Sequence, residues 1–187
     1  MFIQTEATPN PTTLKFIPGR QVMDTGSFDA HDLDSAAQSP LAEGLMRIEG
    51  VKAVFFGPDF ISVTRADVDW AHIKPFILGV IMDHFLSGAP ILKEGVAPTL
   101  HSDDAEFFDA EHAQTVATIK ELLESRIRPA VAADGGDITF RGFKDGIVYL
   151  AMKGACAGCP SSTATLKHGI QNLLRHFLPD VKEVQAI

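Results

Sequence analysis

The stretch Gly154-Ala155-Cys156-Ala157-Gly158-Cys159-Pro160-Ser161-Ser162-Thr163 decides how the chain around it folds, because it joins a strand to a helix. Before it, residues 147–152 form a short apolar run behind the turn signal Lys144-Asp145-Gly146, which predicts a hairpin with residues 137–143. After it, Ala164, Leu166, Ile170, Leu173, Leu174 and Phe177 recur as one face of a helix over 161–177, which Pro179 breaks. The small residues between the cysteines let the loop curl so that both sulfurs point the same way. The helix that follows offers unpaired backbone N–H groups and the positive end of its dipole. A free thiol titrates at about 8.5 and a helix N-terminus lowers that, so thiolates, the ligands that iron and zinc take, are expected here.

Upstream of the hairpin, Val116, Ile119, Leu122, Leu123 and Ile127 share one face of a helix beginning near residue 113. Pro129 is expected to kink or tighten its last turn, and Ala133-Asp134-Gly135-Gly136 to stop it. Downstream, Val181, Val184 and Ile187 predict a short closing strand. The N-terminal part reads in a similar way. Strands over 2–5 and 13–17 flank Thr8-Pro9-Asn10-Pro11, and a short helix over 40–48 has Ser39 as N-cap and Pro40 at its first position. A hairpin over 51–56 and 60–65 turns at Gly57-Pro58-Asp59. A helix from Asp69 carries Ile73, Phe76, Ile77, Val80, Ile81 and Phe85 and ends at Gly88-Ala89-Pro90.

Residues 88–112 hold few periodic apolar positions but contain Pro90, Gly95, Pro98 and Asp103-Asp104-Ala105-Glu106, so they read as an acidic linker in which Phe107 and Phe108 are fit to dock. The expected architecture is α/β (α+β): an N-terminal domain over 1–87, the linker over 88–112, and a C-terminal domain over 113–187. Each domain is a short, mostly antiparallel sheet packed with helices.

The formal net charge is −8, yet residues 113–187 carry 9 Lys and Arg against 7 Asp and Glu. That balance is too weak to replace counterions along a phosphate backbone, so no nucleic-acid partner is expected. The longest apolar run, residues 75–82, is far short of the roughly 20 residues that span a bilayer, so no membrane is expected either. Met1-Phe2-Ile3-Gln4-Thr5-Glu6 has neither a secretory nor an Arg-rich transit pattern, which predicts a soluble, intracellular protein of bacterial, cytoplasmic type.

The chain has 2 cysteines, both in this one motif, so it has no disulfide framework. A cubane cluster or a structural zinc takes four protein ligands. None of the 7 histidines sits at a zinc-finger offset from the cysteines; His168 and His176, on the following helix, read as surface or packing residues. Two thiolates per chain then call for two chains about a two-fold axis. Three readings compete: an iron–sulfur cluster bridging a homodimer, a thiol–disulfide oxidoreductase, and a zinc-bridged structural dimer. The thioredoxin arrangement places several more elements after the active-site helix, and here ten residues follow Phe177.

Three further groups invite chemistry. Asp134 and Asp137 flank two glycines, which a helix stop and a strand start explain without acid–base work. Ser161, Ser162 and Thr163 suit helix capping, with hydrogen bonding to cluster sulfurs as a second role. Trp70 and the Phe-rich helix after it read as core. No phosphate loop and no Ser/His/Asp or Cys/His constellation is legible.

Asp134-Gly135-Gly136-Asp137, the stretch 154–163 and Leu166-Lys167-His168-Gly169-Ile170 closely resemble the C-terminal domain of NifU-like iron–sulfur proteins. Ile3-Gln4-Thr5-Glu6, Pro9-Asn10-Pro11 and Leu14-Lys15-Phe16 resemble the N-terminal domain that accompanies it in the Nfu branch. The resemblance implies a scaffold or carrier, not an enzyme. Cys156 and Cys159 would be the ligands of a [4Fe-4S] cluster shared between two chains. An upstream donor would supply the cluster and apo iron–sulfur proteins would receive it. The N-terminal domain is left, by elimination, as the module that recognises partners.

Overall fold

A computed structural model describes residues 1–98 and 105–187 of the chain. Asp103 and Asp104, and with them the middle of the expected linker, lie outside the described residues. The chain divides into two compact units, Met1–Leu100 and His101–Ile187.

The first unit is a five-stranded antiparallel sheet with helices against it. Its strands are β1 (Gln4–Ala7), β2 (Thr13–Ile17), β3 (Phe28–Ala30), β4 (Val51–Phe56) and β5 (Ile61–Arg65), in the order β1-β2-β5-β4-β3. Its helices are α1 (Leu33–Ala36), α2 (Pro40–Met46) and α3 (Trp70–Ser87). Ser39 caps α2 by accepting from the Ala42 N–H at 3.1 Å, and Pro40 fills the first helical position, where a missing N–H costs nothing. Asp69 caps α3, and Gly88, at φ +70°, ends it in the left-handed conformation.

Ile73, Ile77 and Ile81, one turn apart, are buried against Phe16, Phe56, Ile61 and Val63. Phe76 does not join them: it is 65% exposed. The helix is apolar nearly all round, so periodicity alone could not say which side faces the sheet. Two elements went unforeseen, β3 and α1. Both are short, and α1 is held by a reciprocal cap in which Asp32 accepts from the Ser35 N–H at 2.7 Å. Residues 91–93 also belong to this unit. Ile91 and Leu92 pack on its core, and the Lys93 N–H donates to the Gln38 carbonyl at 2.9 Å.

The second unit is built round the antiparallel pair β7 (Gly136–Lys144) and β8 (Ile147–Gly154). Asp145 (φ +55°) and Gly146 (φ +84°) make the two-residue turn between them; two positive φ values are what a type I′ hairpin requires. Two parallel neighbours complete the sheet: β6 (Phe107–Phe108) beside β7, and β9 (Glu183–Ala186) beside β8. The helical segments are α4 (Ala113–Leu122), a π-helical turn over Leu123–Ile127, α5 (Arg128–Ala133) and α6 (Pro160–Phe177).

The proline effect expected in the first helix takes the form of widening, not tightening. Pro129 has no N–H to donate back to Ser125, and its ring crowds that carbonyl, so the turn before it opens to a π turn. On α6, Ile170 and Leu174 are buried and Leu166 and Leu173 half-buried, whereas Ala164 and Phe177, expected on the core face, are exposed. Phe177 instead lies against the guanidinium of Arg126, 5.3 Å from its ring centre. No helix among the described residues is long and apolar enough to cross a membrane.

Candidate metal centre

The cysteine loop hangs from the open end of the β7–β8 hairpin. Gly136 and Gly154 face each other in the last pair of the ladder, and the Ala155 N–H donates to the Gly135 carbonyl at 3.1 Å, tying the two ends together. Gly154 turns the chain at φ +65°, and the Ala157 N–H closes that turn on the Gly154 carbonyl at 3.1 Å. Gly158, at φ +77°, turns it again to deliver Cys159 as the N-cap of α6, with Pro160 at the first helical position.

Capping differs from the sequence expectation. Cys159 makes no side-chain cap, and Thr163 does not use its hydroxyl for an orphan N–H. The Thr163 hydroxyl donates to the Cys156 carbonyl at 2.9 Å, while the Thr163 N–H reaches the Cys159 carbonyl at 2.9 Å. One threonine thus pins both cysteines to the first turn of α6. Ser161 Oγ lies 3.4 Å from Cys159 Sγ, so a hydroxyl does stand beside one sulfur.

The two sulfurs are placed unequally. Cys156 is buried, with 6% of its surface exposed, and counts among the core residues of the unit. Cys159 is half-buried among the exposed Gly158, Pro160 and Ser161. Burial, and then the charges of Asp134 and Asp137, push the Cys156 thiol up to about 12. Burial and these two carboxylates therefore oppose at Cys156 the thiolate that the helix start was expected to favour.

Asp137 also has work that sequence reasoning missed. Its carboxylate accepts from Arg128 Nε at 3.0 Å and from the Ile138 N–H at 2.8 Å, locking α5 to the start of β7 behind the loop. The signal available in the sequence was a lone Arg128 on an otherwise apolar turn. Among the described residues, no set of three His, Cys, Asp or Glu ligand atoms within 4.8 Å of one another includes either cysteine. The one such set, Asp109, Glu111 and His112, lies at the start of α4. His168 and His176 are exposed.

Fold and site together define an α/β protein of two sheet-and-helix units, the second presenting a paired-cysteine loop at the start of a helix. Residues 3–88 match the family described as scaffold protein Nfu/NifU N terminal, and residues 119–185 match the NifU-like domain. The chain is 50% identical over 189 residues to the human NFU1 iron-sulfur cluster scaffold homolog, mitochondrial, covering 100% of this chain and 72% of the relative. It is 49% identical to the protein of the same name from Drosophila ananassae, over 100% of this chain and 64% of that one. It is 50% identical to NifU-like protein 5, mitochondrial, from Arabidopsis thaliana, over 99% and 67%. The chain belongs to the Nfu/NifU family, and its human and Drosophila relatives are named iron–sulfur cluster scaffold homologs. These relatives are named mitochondrial, which overturns the expected bacterial-type cytoplasmic location. Receptors read an organellar address from a targeting segment, so the composition of the folded domains carries no information about it.

Proposed function

We propose that the chain is a carrier that binds a [4Fe-4S] cluster between two copies through Cys156 and Cys159 of each and passes it to apo-proteins. The observation supporting this reading is a shortage. Two sulfurs at one loop have no third His, Cys, Asp or Glu ligand grouped with them among the described residues, and a cubane takes four. A two-fold axis through the loop would supply the missing pair. Hand-over is then ligand exchange: recipient thiolates replace the carrier's one at a time. No bond of an organic substrate is turned over, so the activity is carriage and not catalysis.

We further propose that residues 113–187 form the cluster domain, residues 1–87 recognise donor or recipient proteins, and the connection lies within 88–112. Anaerobic reconstitution with iron and sulfide, followed by visible absorption, metal analysis and native mass, tests the reading. It requires four irons per two chains, and Cys156→Ala should remove both the colour and the cluster-dependent dimer. A colourless zinc-bridged dimer, or a metal-free monomer that reduces disulfides, would replace the proposal with one of its competitors.

A further inference from the structure

The unequal placement of the two sulfurs has a specific cause, and it lies on another strand. Gly136 stands opposite the loop. A methyl group built on its Cα would lie 2.6 Å from Cys156 Sγ, 2.7 Å from the Lys153 carbonyl oxygen and 3.1 Å from the Cys156 nitrogen. The sulfur of Cys156 thus occupies the space a side chain at position 136 would fill. Its backbone is held at both ends, by the Ala157 turn and by the Thr163 hydroxyl, so the sulfur reaches solvent by rotating its own side chain to another staggered position. Cys159 is the more exposed of the two, half-buried at the helix start beside the exposed Pro160 and Ser161.

We propose that Cys159 makes the first bond to an arriving cluster and Cys156 the second, with Gly136 as the positioning residue whose bare Cα gives the Cys156 sulfur a resting slot between loads. The proposal rests on the cluster-carrier reading. Each exchange breaks one iron–sulfur bond to an outgoing thiolate, which takes up a proton. It makes one to an incoming thiol, which gives a proton up to solvent, and no electron changes hands. Reversal of the same path releases Cys156 first. The slot then receives that sulfur and disfavours its return, so the cluster is left on the Cys159 pair as recipient thiols attack.

Brief alkylation of the metal-free, full-length protein with limiting iodoacetamide, mapped by peptide mass, tests the slot without any cluster. Cys159 should react about tenfold or more faster than Cys156, since reactivity follows exposure. In Gly136→Ala the Cys156 rate should rise about tenfold while Cys159 stays within about twofold. Equal rates in the unsubstituted protein overturn the proposal, whether or not Gly136→Ala folds.

A second measurement reads the order itself, using a cluster ligated by a small thiol as donor. The initial exchange rate of Cys159→Ser should be about tenfold below that of Cys156→Ser, and the Cys156→Ser product should then be lost on gel filtration. Similar initial rates for the two variants overturn the order. If the parent protein takes up no cluster while Cys159 still reacts faster, the carrier reading fails and the slot stands. If the cluster is taken up and both cysteines react alike, the carrier reading stands and the order fails.

Discussion

At the scale of single residues, the instructive cases are polar groups held wholly or partly out of water. Arg128 and Asp137 are mutually satisfied and fix the frame behind the cysteine loop. His84 is different: it is buried on α3 with its ring edge-on to Phe85, and its Nε2 has no hydrogen-bond partner among the described residues. Burial holds its pKa below the usual 6.5. A group with a lowered folded-state pKa resists protonation in the fold but accepts it freely once unfolded. The first unit therefore keeps its full stability above about pH 6.5 and loses it as the pH falls toward the folded value. Trp70, the single tryptophan, lies in this unit, so its fluorescence follows urea unfolding there specifically. The midpoint at pH 5.5 should be lower than at pH 7.5, and His84→Phe should remove most of that difference. An unchanged pH dependence in the variant would show that other groups carry it.

At the scale of elements, what could be read in advance depended on whether the signal was local. The turn at Asp145-Gly146, the cap at Ser39, the helix start at Asp69 and the helix stop at Gly135 are written in adjacent residues, and all were legible. The cysteine loop was legible too, because small residues, two thiols and a proline are contiguous there. The burial of Cys156 was not, since it depends on a missing side chain at Gly136, which only the register of β7 on β8 brings alongside. Parallel pairing of β6 was illegible for the same reason. Phe107 docks because Gly142 has no side chain: a methyl group there would meet the Phe107 ring at 2.4 Å. The ring also lies 5.1 Å from that of Tyr149, and Glu106 pairs with Lys120 on α4. This two-residue strand is thus part of the second unit's packing. Phe107→Ala should cost about 2 kcal/mol, less than a fully buried phenylalanine because 43% of its surface stays exposed. Denaturant unfolding combined with hydrogen exchange of the β7 amides measures it. A loss below about 0.5 kcal/mol would reduce β6 to a passing contact.

At the scale of the whole molecule, each unit has its own sheet and its own buried core, and the candidate cluster ligands lie in one of them. Such a division allows holding the cluster and choosing its destination to be separable properties, since a partner that grips the first unit raises the effective concentration of its thiols near the second without touching the ligands. Removal of residues 1–98 keeps β6, Glu106 and the entire core of the second unit, and should leave the iron content and the cluster-dependent dimer unchanged. Transfer to an apo-protein that recognises the first unit should then slow by about tenfold or more, the factor lost when a tethered encounter becomes a free one. Transfer to a small-molecule chelator, which needs no recognition, should proceed at the parent rate. The measurement is a pair of time courses, one with a protein recipient and one with the chelator, for the intact and shortened chains. Equal rates for every protein recipient tested would remove the recognition role from residues 1–87, and a matching loss with the chelator would place the defect in the cluster site itself.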